Sequence, residues 1–182
     1  MTLRILTVCT GNICRSLVAE RALAHELGAR GVDVEVRSAG TYGGLANDAD
    51  TLRAAREAGL DTAGHVSRRL TTDLMGADGA DLIVALTREH LREIVALDPA
   101  AWPRTFTLRE LARRAVAVGP VGDDLGAWRQ AVLGDRKAAG LMQPDPADDV
   151  RDPHGGPYRG HQQMVVEVTE LARTIAAAMY PA

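Results

Sequence analysis

The chain has 182 residues, 46% of them hydrophobic, and its formal net charge is −3. This length and composition fit one domain with a sizeable core and argue against a disordered chain. The slight negative charge argues against a broad nucleic-acid surface. The longest apolar runs, such as residues 82–86, are too short to span a membrane.

In chain order, short apolar runs alternate with segments of helical periodicity. We predict strands at residues 3–8, 33–38, 81–86 and 104–108. We predict helices at residues 16–28, 49–58, 87–97 and 109–114. A loop at 116–124, a helix at 125–139 and a long functional loop at 142–158 follow. The last helix is indicated by apolar residues on one face, namely Val165, Val168, Ala172, Ile175 and Met179.

Strands that alternate with helices predict a parallel sheet covered on both faces. We therefore expect an α/β fold: a single-domain, three-layer α/β/α structure over residues 1–182, with a central four-stranded parallel sheet. In such folds ligands bind beyond the carboxyl ends of the strands. The loop after the first strand, which runs from Cys9 to Arg15, is predicted to lie at that edge.

The only cysteines, Cys9 and Cys14, both lie in this short loop. Two cysteines so close together make a poor disulfide framework, which favours a reactive or metal-binding role. The first residues lack the sustained apolar region of a signal peptide and no segment resembles a membrane span, so we expect a reducing, cytoplasmic location. No second Cys/His cluster occurs at ligand spacing, so we expect no metal and no cofactor.

The Cys9–Arg15 spacing is typical of a phosphate-binding loop. Such a loop can curl so that its backbone N–H groups face an anion, and the following helix adds its positive end. Gly11 permits the turn, the same field stabilises a Cys9 thiolate, and Arg15 can hold two phosphate oxygens. The predicted phosphate-binding residues are Thr10, Gly11, Asn12, Ile13, Cys14, Arg15 and Ser16.

The segment VCTGNICRS, residues 8–16, resembles the nucleophile loop of low-molecular-weight protein-tyrosine phosphatases. Residues 38–41 (SAGT), 65–68 (HVSR), 80–84 (ADLIV) and 87–90 (TREH) resemble further parts of that family. The resemblance runs to about Leu111 and resumes near Asp149. One departure is Leu17, where the family has Pro; the position falls in the first helical turn, where Pro is only favoured.

This resemblance implies a reaction through a cysteinyl-phosphate, with Cys9 as nucleophile and Arg15 as the phosphate clamp. It also implies that Asn12, Ser16, Ser38 and His65 form a buried polar network that supports the loop. Ser16 could in addition hydrogen-bond the Cys9 sulfur. Taken singly, the residues have other interpretations: a helix cap for Ser16, a turn residue for Ser38 and a surface residue for His65.

The leaving oxygen needs a proton from an acid outside the loop. The family supplies it from Asp followed by Pro late in the chain, which favours Asp152; Asp145, also followed by Pro, is the main rival, and Asp149 lies in the same acidic stretch. His154 stands where many members carry an aromatic residue. Tyr42 and Tyr158 could supply the aromatic wall for phosphotyrosine instead.

Ile13 favours phosphotyrosine, because a phosphoarginine-specific bacterial branch carries Thr there. The alternatives are a protein-arginine phosphatase, a thiol-dependent arsenate reductase and a non-catalytic phosphate-binding module. A thioredoxin-coupled reductase would need cysteines after Cys14, and none exists.

The expected partner is a phosphorylated protein, with no nucleic acid and no membrane, and the expected state is a monomer or weak dimer. Residues 116–147 exceed the family pattern and are predicted to be an insertion.

Overall fold

The computed structural model describes residues 2–76, 79–143 and 145–181. Within these residues, four parallel strands form one sheet in the order β2-β1-β3-β4. The strands are β1 (Leu3–Cys9), β2 (Val34–Gly40), β3 (Leu82–Ala85) and β4 (Thr105–Thr107). The predicted four-stranded parallel sheet is confirmed.

Helices cover both faces of the sheet. They are α1 (Arg15–Gly28), α2 (Ala49–Glu57), α3 (Thr72–Met75), α4 (Arg88–Leu97), α5 (Leu108–Val118), α6 (Leu125–Leu133) and α7 (Tyr158–Met179). Short 3-10 helices occupy Pro99–Arg104, Ala138–Met142 and Pro146–Asp148. None of the helices in the described parts of the chain combines the length and hydrophobicity that a transmembrane segment requires.

Successive residues of β1 point into two separate hydrophobic clusters, because side chains alternate across a strand. Ile5 packs with buried residues of α1, α5 and α7, including Leu23 and Val168. Leu6 packs on the opposite face with Ile94 of α4 and Met75 of α3. These two clusters form the interfaces of a three-layer α/β/α structure, as predicted.

Two predicted boundaries in the second half of the chain are wrong, and one predicted loop contains a short helix. The helix that precedes the loop predicted at 116–124 continues to Val118, because it ends only where Gly119 adopts φ 86°. The helix predicted at 125–139 ends at Leu133, because Gly134 adopts φ 52° there. The loop predicted at 142–158 contains the 3-10 helix Pro146–Asp148, and its Pro144 lies outside the described residues.

The segment after α5 is attached to the body of the fold by buried contacts. Trp128 Nε1 donates a hydrogen bond of 2.9 Å to the Gly119 carbonyl. The Arg136 guanidinium lies 4.0 Å from the ring centre of Trp102 and 4.4 Å from that of Phe106 in β4. Arg136 also forms an ion pair of 2.7 Å with Glu110 of α5. This segment therefore packs firmly beside β4.

Candidate active site

The phosphate loop, residues 9–15, joins the end of β1 to the start of α1. Cys9 is the last residue of β1 and Arg15 is the first residue of α1. Both side chains are buried, and β3, which neighbours β1 in the sheet, ends beside them. Helix α1 begins normally although Leu17 replaces the family's Pro, and Leu17 is fully buried. The loop thus lies at the carboxyl edge of the sheet, as predicted.

Asn12 is held in a left-handed backbone conformation by its own side chain. Its φ is 55°, the only positive φ among the described non-glycine residues. Its Nδ2 group donates to Ser16 Oγ at 3.0 Å and to Ser38 Oγ at 2.8 Å. Its Oδ1 accepts from the backbone N–H of Arg68 at 2.9 Å, and His65 Nε2 lies 2.7 Å from its carbonyl. The structure therefore brings the four predicted loop-supporting residues together.

The amide of Asn12 also sets the direction of the serine hydroxyl groups. Because both serines accept from Nδ2, their own protons are available to other partners. Ser16 Oγ lies 3.0 Å from Cys9 Sγ, and Ser38 Oγ donates to the carboxylate of Glu20. Glu20 is buried in α1 and was not predicted. The signal that could have found it is its position one helical turn after Ser16 on the buried face of α1.

The chain after β2 approaches the phosphate loop closely. The backbone N–H groups of Thr41 and Tyr42 donate to the carbonyls of Cys9 and Thr10 at 2.9 and 2.8 Å. A Cβ atom on Gly40 would lie 2.5 Å from the Thr10 carbonyl oxygen, so only glycine fits there. On the other side of the loop, Ser67 Oγ donates to the Gly11 carbonyl at 2.8 Å. The loop is therefore braced by backbone contacts as well as by its buried network.

Asp152 meets the phosphate loop at Arg15. Arg15 Nη2 donates to Asp152 Oδ2 at 2.7 Å, and Arg15 Nη1 donates to the Val150 carbonyl at 3.4 Å. The Val150 N–H in turn donates to the carbonyl of Leu86, the residue directly after β3. We call residues 149–156 the acid loop. This arrangement brings the predicted clamp and the favoured acid together at one edge of the sheet.

The two rival carboxylates have other partners. Asp145 caps the 3-10 helix Pro146–Asp148 by accepting from the Ala147 N–H at 3.1 Å. Asp149 accepts from the Arg88 N–H at the start of α4 at 2.7 Å. Both carboxylates therefore stabilise local backbone structure, whereas Asp152 pairs with the phosphate loop.

A buried histidine supports the phosphate loop from α4 and was not predicted. Thr10 Oγ1 accepts from Arg15 Nη2 at 3.4 Å and is hydrogen-bonded to His90 Nε2 at 2.8 Å. His90 Nδ1 is hydrogen-bonded to Thr87 Oγ1 at 2.9 Å, so a neutral imidazole donates to one threonine and accepts from the other. Burial, with a smaller contribution from the Arg15 charge, lowers the pKa of His90 to about 3. The imidazole is therefore neutral at ordinary pH.

Apolar and aromatic groups border the phosphate loop on one side. The Tyr42 side chain is 70% exposed next to the loop, and Leu45 is also exposed. Leu45 and Ile13 would each lie close to a Cβ atom on Gly11, at 3.1 and 3.2 Å. Tyr158 instead donates to Glu57 on α2 at 2.6 Å. Tyr42 is therefore the better placed of the two predicted aromatic residues.

The buried Cys14 thiol contacts Thr51 of α2. Burial raises the pKa of its thiol to about 12, although a hydrogen bond with Thr51 partly offsets the effect. The ligand atoms of Cys14, Asp48 and His154 all lie within 4.8 Å of one another. No metal was expected because these residues are far apart in the sequence, and the fold alone makes them neighbours.

Comparisons with known proteins identify the family of this chain. The family of low molecular weight phosphotyrosine protein phosphatases matches residues 4–118. The low molecular weight protein-tyrosine-phosphatase Etp of Escherichia coli (strain K12) is 40% identical over 104 residues, which cover 56% of this chain. The same alignment spans 66% of Etp, just under two thirds of its length.

Two further relatives cover more of the chain. The protein-arginine-phosphatase of Bacillus subtilis (strain 168) is 32% identical over 130 residues, which cover 69% of this chain and 85% of the relative. The crystal structure of the low molecular weight protein tyrosine phosphatase from T. tengcongensis superposes with a TM-score of 0.69 at 27% identity, and covers 95% of this chain and 97% of the other. The chain belongs to the low molecular weight phosphotyrosine protein phosphatase family.

Proposed function

We propose that this protein is a phosphatase that hydrolyses phosphotyrosine in proteins through a cysteinyl-phosphate intermediate. The observation that carries the proposal is the convergence of three side chains. Cys9 Sγ contacts Ser16 Oγ at 3.0 Å, and Arg15, at the other end of the same loop, contacts Asp152 at 2.7 Å. A nucleophile, a phosphate clamp and a candidate acid thus meet at one edge of the sheet.

The first chemical step is attack of the Cys9 thiolate on phosphorus. The S–P bond forms as the bond between phosphorus and the leaving oxygen breaks, and Asp152 donates its proton to that oxygen. Arg15 holds two of the non-reacting oxygens with its planar fork, where charge is concentrated in the transition state. Asp152 is then a carboxylate that can take a proton from water.

In the second step that water attacks phosphorus and the S–P bond breaks. Cys9 leaves as a thiolate, which Ser16 stabilises by donating its hydroxyl proton to the sulfur. Asn12 Nδ2 donates to Ser16 Oγ, so the Ser16 hydroxyl proton is free to point at the Cys9 sulfur. Ser38 and His65 act through Asn12 and are positioning residues.

The side chains that border the phosphate loop indicate the substrate class. Ile13, Leu45 and Tyr42 offer an apolar and aromatic surface that suits the ring of phosphotyrosine. The relative from Bacillus subtilis is a protein-arginine-phosphatase, so phosphoarginine is the second candidate substrate. We also propose that the protein acts as a monomer or weak dimer in a reducing, cytoplasmic environment, where the free cysteines Cys9 and Cys14 stay reduced.

Residues 116–147 are further proposed to be an insertion in a single domain. The end of the family match at residue 118 supports this proposal. The segment forms α6 and the 3-10 helix Ala138–Met142 and packs beside β4. Strand β4 is at the opposite edge of the sheet from β2. It therefore extends the fold without interrupting the phosphate loop.

The proposal is tested with matched peptides that carry phosphotyrosine, phosphoarginine or phosphoserine. We expect turnover to be fastest on phosphotyrosine, and Cys9→Ser to abolish it while the variant still binds a phosphate analogue. Arsenate reduction with a small thiol is measured in parallel. Faster turnover of phosphoarginine would assign the protein to the second substrate class, and near-normal turnover by Cys9→Ser would refute the mechanism.

A further inference from the structure

Beside the phosphate loop, three side chains of different chemistry converge from distant parts of the sequence. Cys14 lies just before α1, Asp48 just before α2, and His154 in the acid loop. Their sulfur, carboxylate oxygen and imidazole nitrogen atoms lie within 4.8 Å of one another. His154 Nδ1 is 2.9 Å from Asp48 Oδ2. None of the three has a chemical role in the proposed phosphatase reaction.

These atoms are near enough for side-chain rotations to bring all three onto one four-coordinate zinc ion. Zinc binds sulfur at about 2.3 Å and imidazole nitrogen or carboxylate oxygen at about 2.0–2.2 Å, with tetrahedral geometry. A combination of thiolate, imidazole and carboxylate suits zinc rather than magnesium or calcium, which prefer oxygen ligands alone. Small rotations of the side chains would complete the geometry. The His154 side chain is 61% exposed and has room for such a rotation.

The surroundings of the cluster support a cation. Asp152, like Asp48, adds negative charge near the Cys14 sulfur. His161 Nδ1 lies 3.4 Å from Asp48 Oδ1, and the Thr51 N–H donates to the same oxygen at 2.8 Å, so Oδ1 is held in place. Fixed outer partners of this kind orient a metal ligand. The other oxygen, Oδ2, faces His154.

We propose that a zinc-class divalent cation binds to Cys14, Asp48 and His154, with water as a fourth ligand. On binding, the Cys14 thiol loses its proton to solvent. The proton on His154 Nδ1 is released to solvent while Nε2 takes one up, so that Nδ1 and Asp48 Oδ2 can both bind the metal. The bound cation carries two positive charges against one thiolate and one carboxylate. It therefore leaves the cluster neutral.

The position of the site connects two parts of the active site. Cys14 belongs to the phosphate loop, and the His154 N–H donates to Asp152 Oδ1 at 3.2 Å. A metal at this position holds the acid loop against the phosphate loop. The proposed binding of the metal does not depend on the proposed function.

The binding test uses the Cys9→Ser variant, in which Cys14 is the only cysteine. Titration with Co²⁺ is expected to give a saturable sulfur-to-cobalt charge-transfer band. Competition by Zn²⁺ then gives the zinc affinity. In the same background, His154→Gln is expected to weaken binding at least about tenfold. The matched control is His25→Gln, which changes an exposed histidine on α1 and is expected to leave the affinity unchanged.

The readout does not depend on phosphatase activity, so it separates this proposal from the proposed function. His154 is largely exposed, so its substitution leaves the fold intact; circular dichroism checks this for every variant. A missing charge-transfer band in the Cys9→Ser variant would overturn the proposal. So would equal affinities in His154→Gln and His25→Gln, because the metal would then lie elsewhere.

Discussion

Arg15 Nη2 lies 2.7 Å from Asp152 Oδ2, so the phosphate clamp and the candidate acid are paired with each other. The Arg15 side chain is 6% exposed and that of Asp152 is 49% exposed, so the carboxyl approaches the guanidinium from the solvent side. A phosphate group in the loop competes for the same guanidinium. Under the proposed mechanism, substrate binding is therefore expected to free Asp152 beside the leaving oxygen and so to link binding to placement of the acid.

Asp152→Asn is expected to slow Cys9 phosphorylation about 10²- to 10⁴-fold for poor leaving groups and only mildly for good ones. The reason is that asparagine keeps the shape but carries no transferable proton. The measurement is single-turnover kinetics over a series of aryl phosphates. Asp145→Asn is the control, and a steepened dependence on the leaving group in that variant alone would transfer the role of acid to Asp145.

Arg15→Lys is expected to reduce kcat about 10²-fold or more, because lysine keeps the charge but loses the planar fork that holds two oxygens. The substitution also removes the Nη1 contact to the Val150 carbonyl. Steady-state kinetics on an aryl phosphate measures the effect. If kcat and KM both stayed at native values, Arg15 would not be the clamp.

Glu20→Gln is expected to slow breakdown of the cysteinyl-phosphate. The carboxylate of Glu20 accepts the Ser38 hydroxyl proton, and an amide can instead donate to Ser38 Oγ and compete with Asn12. The variant is also expected to lose about 1–3 kcal/mol of unfolding free energy, because a buried polar contact is mispaired. Glu26→Gln on the same helix is the control. Equal kinetics in both variants would remove Glu20 from the network.

Cys14 is expected to protect Cys9 from irreversible oxidation. Both cysteines are free and buried in the same loop, so an oxidised Cys9 sulfenic acid can condense with the Cys14 thiol to a disulfide and release water. Peroxide followed by thiol should restore activity in the native chain and much less in Cys14→Ser. Equal recovery in the two proteins would show that Cys14 does not protect Cys9.

His90 is expected to make folding sensitive to acid. Its pKa of about 3 in the folded state lies below the unfolded value of 6.5, so the unfolded chain binds more protons between these limits. The free energy of unfolding therefore decreases as the pH falls below 6.5, and His90 contributes up to about 1.4 kcal/mol of this decrease per pH unit. Urea unfolding at several pH values should show a shallower slope for His90→Gln. Identical slopes would show that His90 does not contribute.

The phosphate loop and the sheet could be predicted because each depends on residues that are close in the sequence. The loop residues from Cys9 to Ser16 are contiguous, and each strand has a local pattern of its own, such as the apolar run of β3 or the alternation of β2. Contacts between distant segments could not be predicted in this way. The hydrogen bond between Thr10 and His90 joins residues that are 80 positions apart, and no periodic pattern in the sequence indicates this contact.

The misplaced helix ends have a local cause. Gly119 and Gly134 each end a helix by adopting a positive φ, but glycine is also common inside loops, so the sequence alone did not show which glycines end a helix. Helix α3, Thr72–Met75, was missed because a single turn has too few residues for a periodic pattern. The choice between Asp145 and Asp152 rested on the resemblance, and the structure adds the pairing of Asp152 with Arg15.

The stacking of Arg136 against Trp102 and Phe106 limits how this protein can be shortened. A designer who wished to build a minimal phosphatase would naturally excise the segment around α6. That deletion would uncover the rings of Trp102 and Phe106 and leave Glu110 paired with Arg114 alone. Newly exposed aromatic surface promotes aggregation. A trimmed version therefore needs polar replacements at these positions as well as a new loop.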